Sequence, residues 1–169
     1  MSALKNSIDN IKVGDFLVWR KSQDDKLIDK IANFFIRLFT LSSFYHTGLV
    51  YEIDKDNNEV YIIEASNPKV RIRKLSDSLP CFIIHVDIEN RDLLKKYLED
   101  QLGEKYNLLG VVTAWCGKFM KGDNRWICTK LVSYAYEKFL NINLHHYTTP
   151  DKLTIGLMKE LNKPLRYLD

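Results

Sequence analysis

Cys128 lies in Trp126-Ile127-Cys128-Thr129-Lys130-Leu131-Val132, directly ahead of Leu131, Val132, Ala135, Tyr136 and Phe139, which recur at helical spacing. The thiol therefore sits in the first turn of a helix. Free N–H groups and the positive end of the helix dipole converge there and favour the thiolate, the nucleophilic form of the sulfur. The same turn can offer backbone donors, the Cys128 N–H among them, to an oxyanion. Taken alone, the residue reads first as a small buried hydrophobe, the commonest place for a free cysteine.

A base and an orienting carboxylate change that balance. Thr47-Gly48-Leu49-Val50-Tyr51-Glu52-Ile53 and Glu59-Val60-Tyr61-Ile62-Ile63-Glu64-Ala65 are rich in β-branched and aromatic residues and flank Asp54-Lys55-Asp56-Asn57-Asn58. They are expected to form a hairpin. If it is symmetric about residue 55 or 56, His46 faces residue 64 or 66, and His46 and Glu64 share a face as opposite or diagonal neighbours. A carboxylate beside an imidazole holds one tautomer and makes the ring a better base. The plainer readings are a solvated histidine at a strand end and a surface carboxylate. Glu64 nevertheless follows Tyr61-Ile62-Ile63, where an unpaired charge would be costly.

The segments Phe44-Tyr45-His46-Thr47-Gly48-Leu49-Val50-Tyr51, Tyr61-Ile62-Ile63-Glu64-Ala65-Ser66 and Trp126-Ile127-Cys128-Thr129-Lys130-Leu131-Val132 resemble the His, Glu and Cys motifs of circularly permuted NlpC-like, papain-like thiol hydrolases. That branch includes YiiX-like proteins, a poxvirus protein family and relatives of lecithin:retinol acyltransferase. Val13-Gly14-Asp15-Phe16-Leu17-Val18 resembles its opening Gly-Asp strand, Gly103-Glu104-Lys105-Tyr106-Asn107 its Gly-x-x-Tyr-Asp element, and Thr149-Pro150-Asp151-Lys152-Leu153 its closing Thr-Pro-x-x-Leu turn. The order His, acid, Cys is the reverse of ordinary papain order. Thr129-Lys130 replaces the Ser-Glu common in YiiX-like members, and Asn107 stands where Asp is frequent; both differences are expected to bear on substrate.

The resemblance implies a cysteine-dependent hydrolase, an amidase, peptidase or acyl-ester hydrolase, with Cys128, His46 and Glu64 as the triad. A lipid acyltransferase of the lecithin:retinol type and a papain-like domain that binds without turnover are the alternatives. The substrate expected is peptide-like or acyl- and lipid-like. Tyr45, next to the base, is the first candidate for a side-chain oxyanion donor alongside the Cys128 N–H, with Tyr106 and Tyr51 as competitors.

These groups need elements to position them. A strand is expected near residues 15–20, a helix near 25–39, the hairpin, and strands near 70–73 and 81–87. Then come an amphipathic helix placing Leu93, Leu94, Tyr97, Leu98 and Leu102 on one side and ending at Gly103, a more apolar helix near 108–120, and a turn into the Cys128 helix. This predicts an α+β fold, a papain-like antiparallel sheet or half-barrel packed against helices, with the nucleophile helix against the hairpin. The helix near 25–39 is apolar nearly all round, so core burial, a lipid-binding wall or a partner surface must cover it. Because it leads into His46, Phe35, Phe39, Phe44 and Tyr106 are expected to shape the substrate pocket.

A chain of 169 residues that is 46% hydrophobic suits one domain. Its net charge of +3 is spread among acidic residues, which gives no electrostatic case for nucleic acid. Lys69, Arg71, Arg73 and Lys74 read as one solvated strand face, with an anion site as the alternative. Three cysteines without a C-x-x-C spacing suggest neither a disulfide framework nor a metal site, and Cys81 and Cys116 read as core packing. No cofactor is expected. Neither a signal-like leader nor a run of roughly 18 apolar residues is present, so a cytosolic protein is expected, with peripheral membrane contact left open.

Overall fold

The computed structural model describes residues 10–20, 43–107, 110–111 and 125–169. The expected helix near 25–39, with Phe35 and Phe39, lies outside them, as does most of the one near 108–120, Cys116 included. The described residues form an α+β fold. Strands β1 (Phe16–Arg20), β2 (Phe44–Asp54), β3 (Glu59–Ser66), β4 (Lys69–Lys74), β5 (Cys81–Ile84) and β6 (Arg166–Leu168) make one open antiparallel sheet in the order β4-β3-β2-β1-β5-β6. Helices α1 (Arg91–Glu99), α2 (Cys128–Leu140) and α3 (Pro150–Leu161) pack on it.

Both sheet faces are apolar, so the strands read as nearly unbroken hydrophobic runs. One face presents Phe16, Val18, Leu49, Ile63, Ala65 and Val70 to Leu94 and Leu98 of α1, Leu131, Val132, Ala135 and Tyr136 of α2, and Leu153 and Leu157 of α3. Leu17, Trp19, Val50, Ile62, Cys81 and Ile83 belong to a second core on the other face. Each fully buried aliphatic or Phe side chain contributes roughly 1.5–3 kcal/mol of transfer free energy. These two cores set the strand order and hold α2 against β2 and β3.

Local chemistry explains most boundaries. Asn90 caps α1 by accepting from the Leu93 N–H, and Thr149 caps α3 from one position ahead of Pro150, whose missing N–H costs nothing there. The α1 helix stops at Glu99, earlier than its apolar pattern suggests. Leu93 and Leu102 are exposed, only Leu94 and Leu98 are buried, and Gly103 at φ +82 closes a following turn instead of ending the helix. Helix α3 and strand β6 were not anticipated from periodicity. The Gly14-Asp15 pair anchors β1: Gly14 adopts φ +88 and donates to Val50 O at 2.7 Å, while its carbonyl accepts from the Tyr136 hydroxyl of α2 at 2.8 Å. Among the described residues no helix is long and apolar enough to cross a membrane.

The hairpin register carries a feature that symmetry alone would miss. Next to the turn Asp54 pairs with Glu59, Ile53 with Val60 and Glu52 with Tyr61, whereas beyond a bulge at Tyr51 Val50 pairs with Ile62 and Leu49 with Ile63. Without the bulge, the register at the turn would leave His46 and Glu64 on opposite faces. The extra residue restores the even register, so they become diagonal neighbours on one face.

Candidate active site

His46 Nε2 and Glu64 Oε2 are 2.8 Å apart, and the Glu64 side chain is only 1% exposed. The ring lies beside Trp19, its cross-strand partner, with centroids 5.4 Å apart. Gly48 makes room for that indole: a Cβ there would meet the Trp19 ring at 3.3 Å and the Ile63 carbonyl at 3.0 Å. A second bulge, where Trp19 pairs with His46 but Arg20 with Phe44, sets the side chain directions at the start of β2. Tyr45 stacks against the histidine with centroids 6.2 Å apart, while Phe44 borders the helical core with its ring edge-on to Phe82.

Cys128 is the first residue of α2 and is buried. Its approach to the sheet is fixed by backbone pairing: Trp126 N–H donates to Lys105 O, Asn107 N–H to Trp126 O, and Tyr106 N–H to Pro68 O, while Val70 N–H bonds Glu104 O. These bonds join the segment before the helix to the end of the β3–β4 hairpin that carries Glu64. The N-terminal turn of α2 is further tied to α3 by Thr129 Oγ1 donating to Thr148 O at 2.9 Å. Asp151 in α3 accepts from the Ser43 and Phe44 N–H groups at 2.8 and 3.1 Å, two residues from the histidine. The segment from Thr148 to Asp151 thus holds the Cys128 helix and the His46 strand together.

Electrostatics follow from this placement. Burial is the largest influence on His46 and opposes its charge. The Glu64 charge, hydrogen bonding to Cys128 and to Glu64, and the sulfur's charge outweigh it and push the ring up to about 9. Burial likewise opposes the Glu64 carboxylate, yet His46, Arg73 and Arg71 bring it down to about 2. For Cys128, burial works against the thiolate, but the His46 hydrogen bond and charge, together with Thr47, hold its pKa below the ordinary thiol value. Since Glu64 occupies Nε2, Nδ1 is the ring nitrogen left for the sulfur. The Thr47 hydroxyl, buried beside the sulfur, and the Thr47 N–H both favour its negative form. Burial pushes the Cys81 thiol to about 12, so that cysteine is inert packing.

The structure therefore brings Cys128, His46 and Glu64 together. Tyr106 joins them: burial first, then the Cys128 and Glu64 charges, keep its phenol protonated well above its usual range. Tyr51 does not, because its hydroxyl donates to Glu99 Oε1 at 2.7 Å.

One expectation needs correction. Lys69, Arg71 and Lys74 are exposed as expected, but the strand is not simply a solvated face: Arg71 Nη2 lies 2.9 Å from Glu64 Oε1, and the half-buried Arg73 places Nη2 3.0 Å from Oε2. Periodicity places the two arginines on the face of Ile62 and Glu64, and only the register shows that the carboxylate stands opposite Arg71. Asn107 accepts the Gly110 N–H at 2.7 Å, the i to i+3 bond of a helix cap. The Lys130 ammonium bonds Arg125 O and lies over the Trp126 and Tyr134 rings.

The chain matches no protein-family model, and no curated protein matches it.

Proposed function

We propose that this chain is a cysteine-dependent acyl hydrolase of the papain-like, permuted NlpC type. One observation carries the reading: a buried carboxylate grips one nitrogen of an imidazole whose other nitrogen is left for a thiol at a helix N-terminus. A structural core has little use for that set, since three ionisable groups are expensive to bury.

Cys128 and His46 rest as thiolate and imidazolium. The sulfur attacks the carbonyl carbon of an amide or ester; as the C–S bond forms, the carbonyl π electrons move to oxygen. The Cys128 N–H stabilises that oxyanion, and Tyr106, whose phenol stands in the field of the sulfur, is better placed than Tyr45 to be the second donor. Imidazolium gives its proton to the leaving nitrogen or oxygen as that bond to carbon breaks, leaving a thioester and a neutral ring. The ring then takes a proton from water, the hydroxyl oxygen bonds the carbonyl carbon, and the C–S bond breaks to return the thiolate. Glu64 holds the ring and stabilises its cation throughout.

Iodoacetamide labelling read at peptide level tests this, with Cys81 as internal control. Cys128 should react rapidly at pH 6–7 and Cys81 hardly at all, and His46→Ala should slow Cys128 strongly. Equal, slow labelling of both thiols would overturn the proposal. Short acyl-ester and peptide-amide reporters then identify the bond cleaved.

A further inference from the structure

Glu64 has more cationic partners than one imidazole requires. Arg71 gives Oε1 two bonds, from Nε at 3.0 Å and Nη2 at 2.9 Å. Oε2, the oxygen that holds His46, also takes Arg73 Nη2 at 3.0 Å. The Arg73 guanidinium lies over the Trp19 ring, 5.5 Å from its centroid, and His46 also lies beside that ring. Arg73 Nε is buried with no partner among the described residues, so its side chain accepts an unsatisfied donor in order to reach Oε2. Neutralising Glu64 needs one cation, and the imidazolium already supplies it.

We propose that Arg71 and Arg73 are positioning residues for the Cys128 chemistry, clamping the Glu64 carboxylate toward His46 and sharing its charge so that the ring can release its proton during turnover. This rests on the hydrolase reading. A buried carboxylate paired with His46 alone would hold the imidazolium tightly, yet the water step needs a neutral ring. Two guanidiniums on the same carboxylate weaken that hold while fixing its orientation. Among the described residues, the charged groups facing His46 are Glu64 from β3, Arg73 and Arg71 from β4 behind it, and Cys128 from α2; Trp19 of β1 and Tyr45 of its own strand are uncharged, as is Tyr106 beyond the sulfur.

Sharing Oε2 puts the Arg73 and His46 nitrogens at most about 6 Å apart. A unit charge at that range moves a titration midpoint by about 0.5 unit in bulk water and about 2 units near a protein surface, so about 1 unit is expected for Arg73. Arg71, bound to the other oxygen and 45% exposed, should give less.

The test is an NMR titration of the His46 ring in the full chain, set beside the pH profile of reporter turnover. Arg73→Gln should raise the His46 midpoint by about 1 unit and carry the acidic limb of kcat up with it. Arg71→Gln should do so by a smaller step. Arg73→Lys, which keeps the charge without the planar guanidinium that lies over Trp19, should restore the midpoint while leaving kcat reduced. If Arg73→Gln does not fold, the more exposed Arg71→Gln and Arg71→Lys pair decides. A midpoint that stays put or falls in the glutamine variants overturns the inference, even where turnover persists. Failure of the hydrolase reading shows separately, as loss of selective Cys128 labelling in the unsubstituted chain.

Discussion

Replacing Glu64 by glutamine keeps the shape of the side chain and removes its charge, and the consequence runs through His46 to the sulfur. Burial by itself depresses a histidine below the ordinary 6.5, and the ring stands at about 9 because the Glu64 charge leads the groups that outweigh burial. Without it, desolvation and the now unbalanced Arg71 and Arg73 charges act in the same direction against the sulfur alone, so the ring falls toward 6.5. The interval from 9 to 6.5 is worth about 3 kcal/mol at 1.36 kcal/mol per unit. A neutral ring no longer supports the thiolate, and burial, the largest influence on Cys128, then dominates. The rate of Cys128 alkylation by iodoacetamide at pH 6.5 should drop by up to about 300-fold, following from that energy. Breaking a buried ion pair also destabilises the fold by roughly 3–5 kcal/mol. Labelling of Cys81, which is fully buried, monitors this, because an unfolded chain would expose both thiols. A Glu64→Gln protein that stays folded by this criterion and labels Cys128 within about threefold of the unsubstituted rate would refute the electrostatic argument.

Stability should depend on pH in a defined window. In Cys128→Ser, which removes the sulfur's share of the His46 shift and leaves the Glu64 share, the raised His46 contributes fully below 6.5 and loses its contribution as pH rises above it, while the depressed Glu64 contributes above 4.5 and loses it as pH falls toward 2. Thermal melts should therefore peak between about 4.5 and 6.5; a Tm still rising through pH 8 would contradict the assignment. Asp151→Ala removes the acceptor for the Ser43 and Phe44 N–H groups, so Tm should fall by about 5 °C, and Cys128 labelling should slow several-fold as the His46 strand loosens. Unchanged values of both would show the clamp to be idle. Tyr106→Phe should lower reporter kcat by about 100-fold with little change in thiol labelling, whereas Tyr45→Phe should leave kcat close to its starting value. The reverse order would move the donor role to Tyr45.

Much of the local structure was written in residue order. Turn formers between two β-branched runs made the hairpin, the apolar series after Cys128 made its helix, and the failure of strict alternation in β1 and β3 reflected sheet faces that are both covered. These are short-range effects, decided by propensity and by which side chains can be wetted. Helix α3 escaped because its signal is a cap and a proline ahead of a weakly amphipathic stretch. The extent of α1 was overestimated because an apolar residue such as Leu93 can sit on the exposed side at little cost.

The site is a different matter. Residue types alone nominated Cys128, His46 and Glu64, but their meeting depends on a bulge at Tyr51 that no local preference announces and without which the imidazole and the carboxylate would face apart. Arg71 and Arg73 looked like surface charges because their strand is polar at every second place; cross-strand register, set by packing of the opposite face, turned them onto Glu64. The strand order, the bonds from Asp151 to β2 and the approach of Tyr106 likewise arise only when distant segments pack. Sequence therefore determined which groups were able to react and which segments would carry them. Tertiary structure decided their separations and charges, because a pKa or a hydrogen bond is a property of neighbours, and neighbours across a sheet are chosen by the burial of the whole fold.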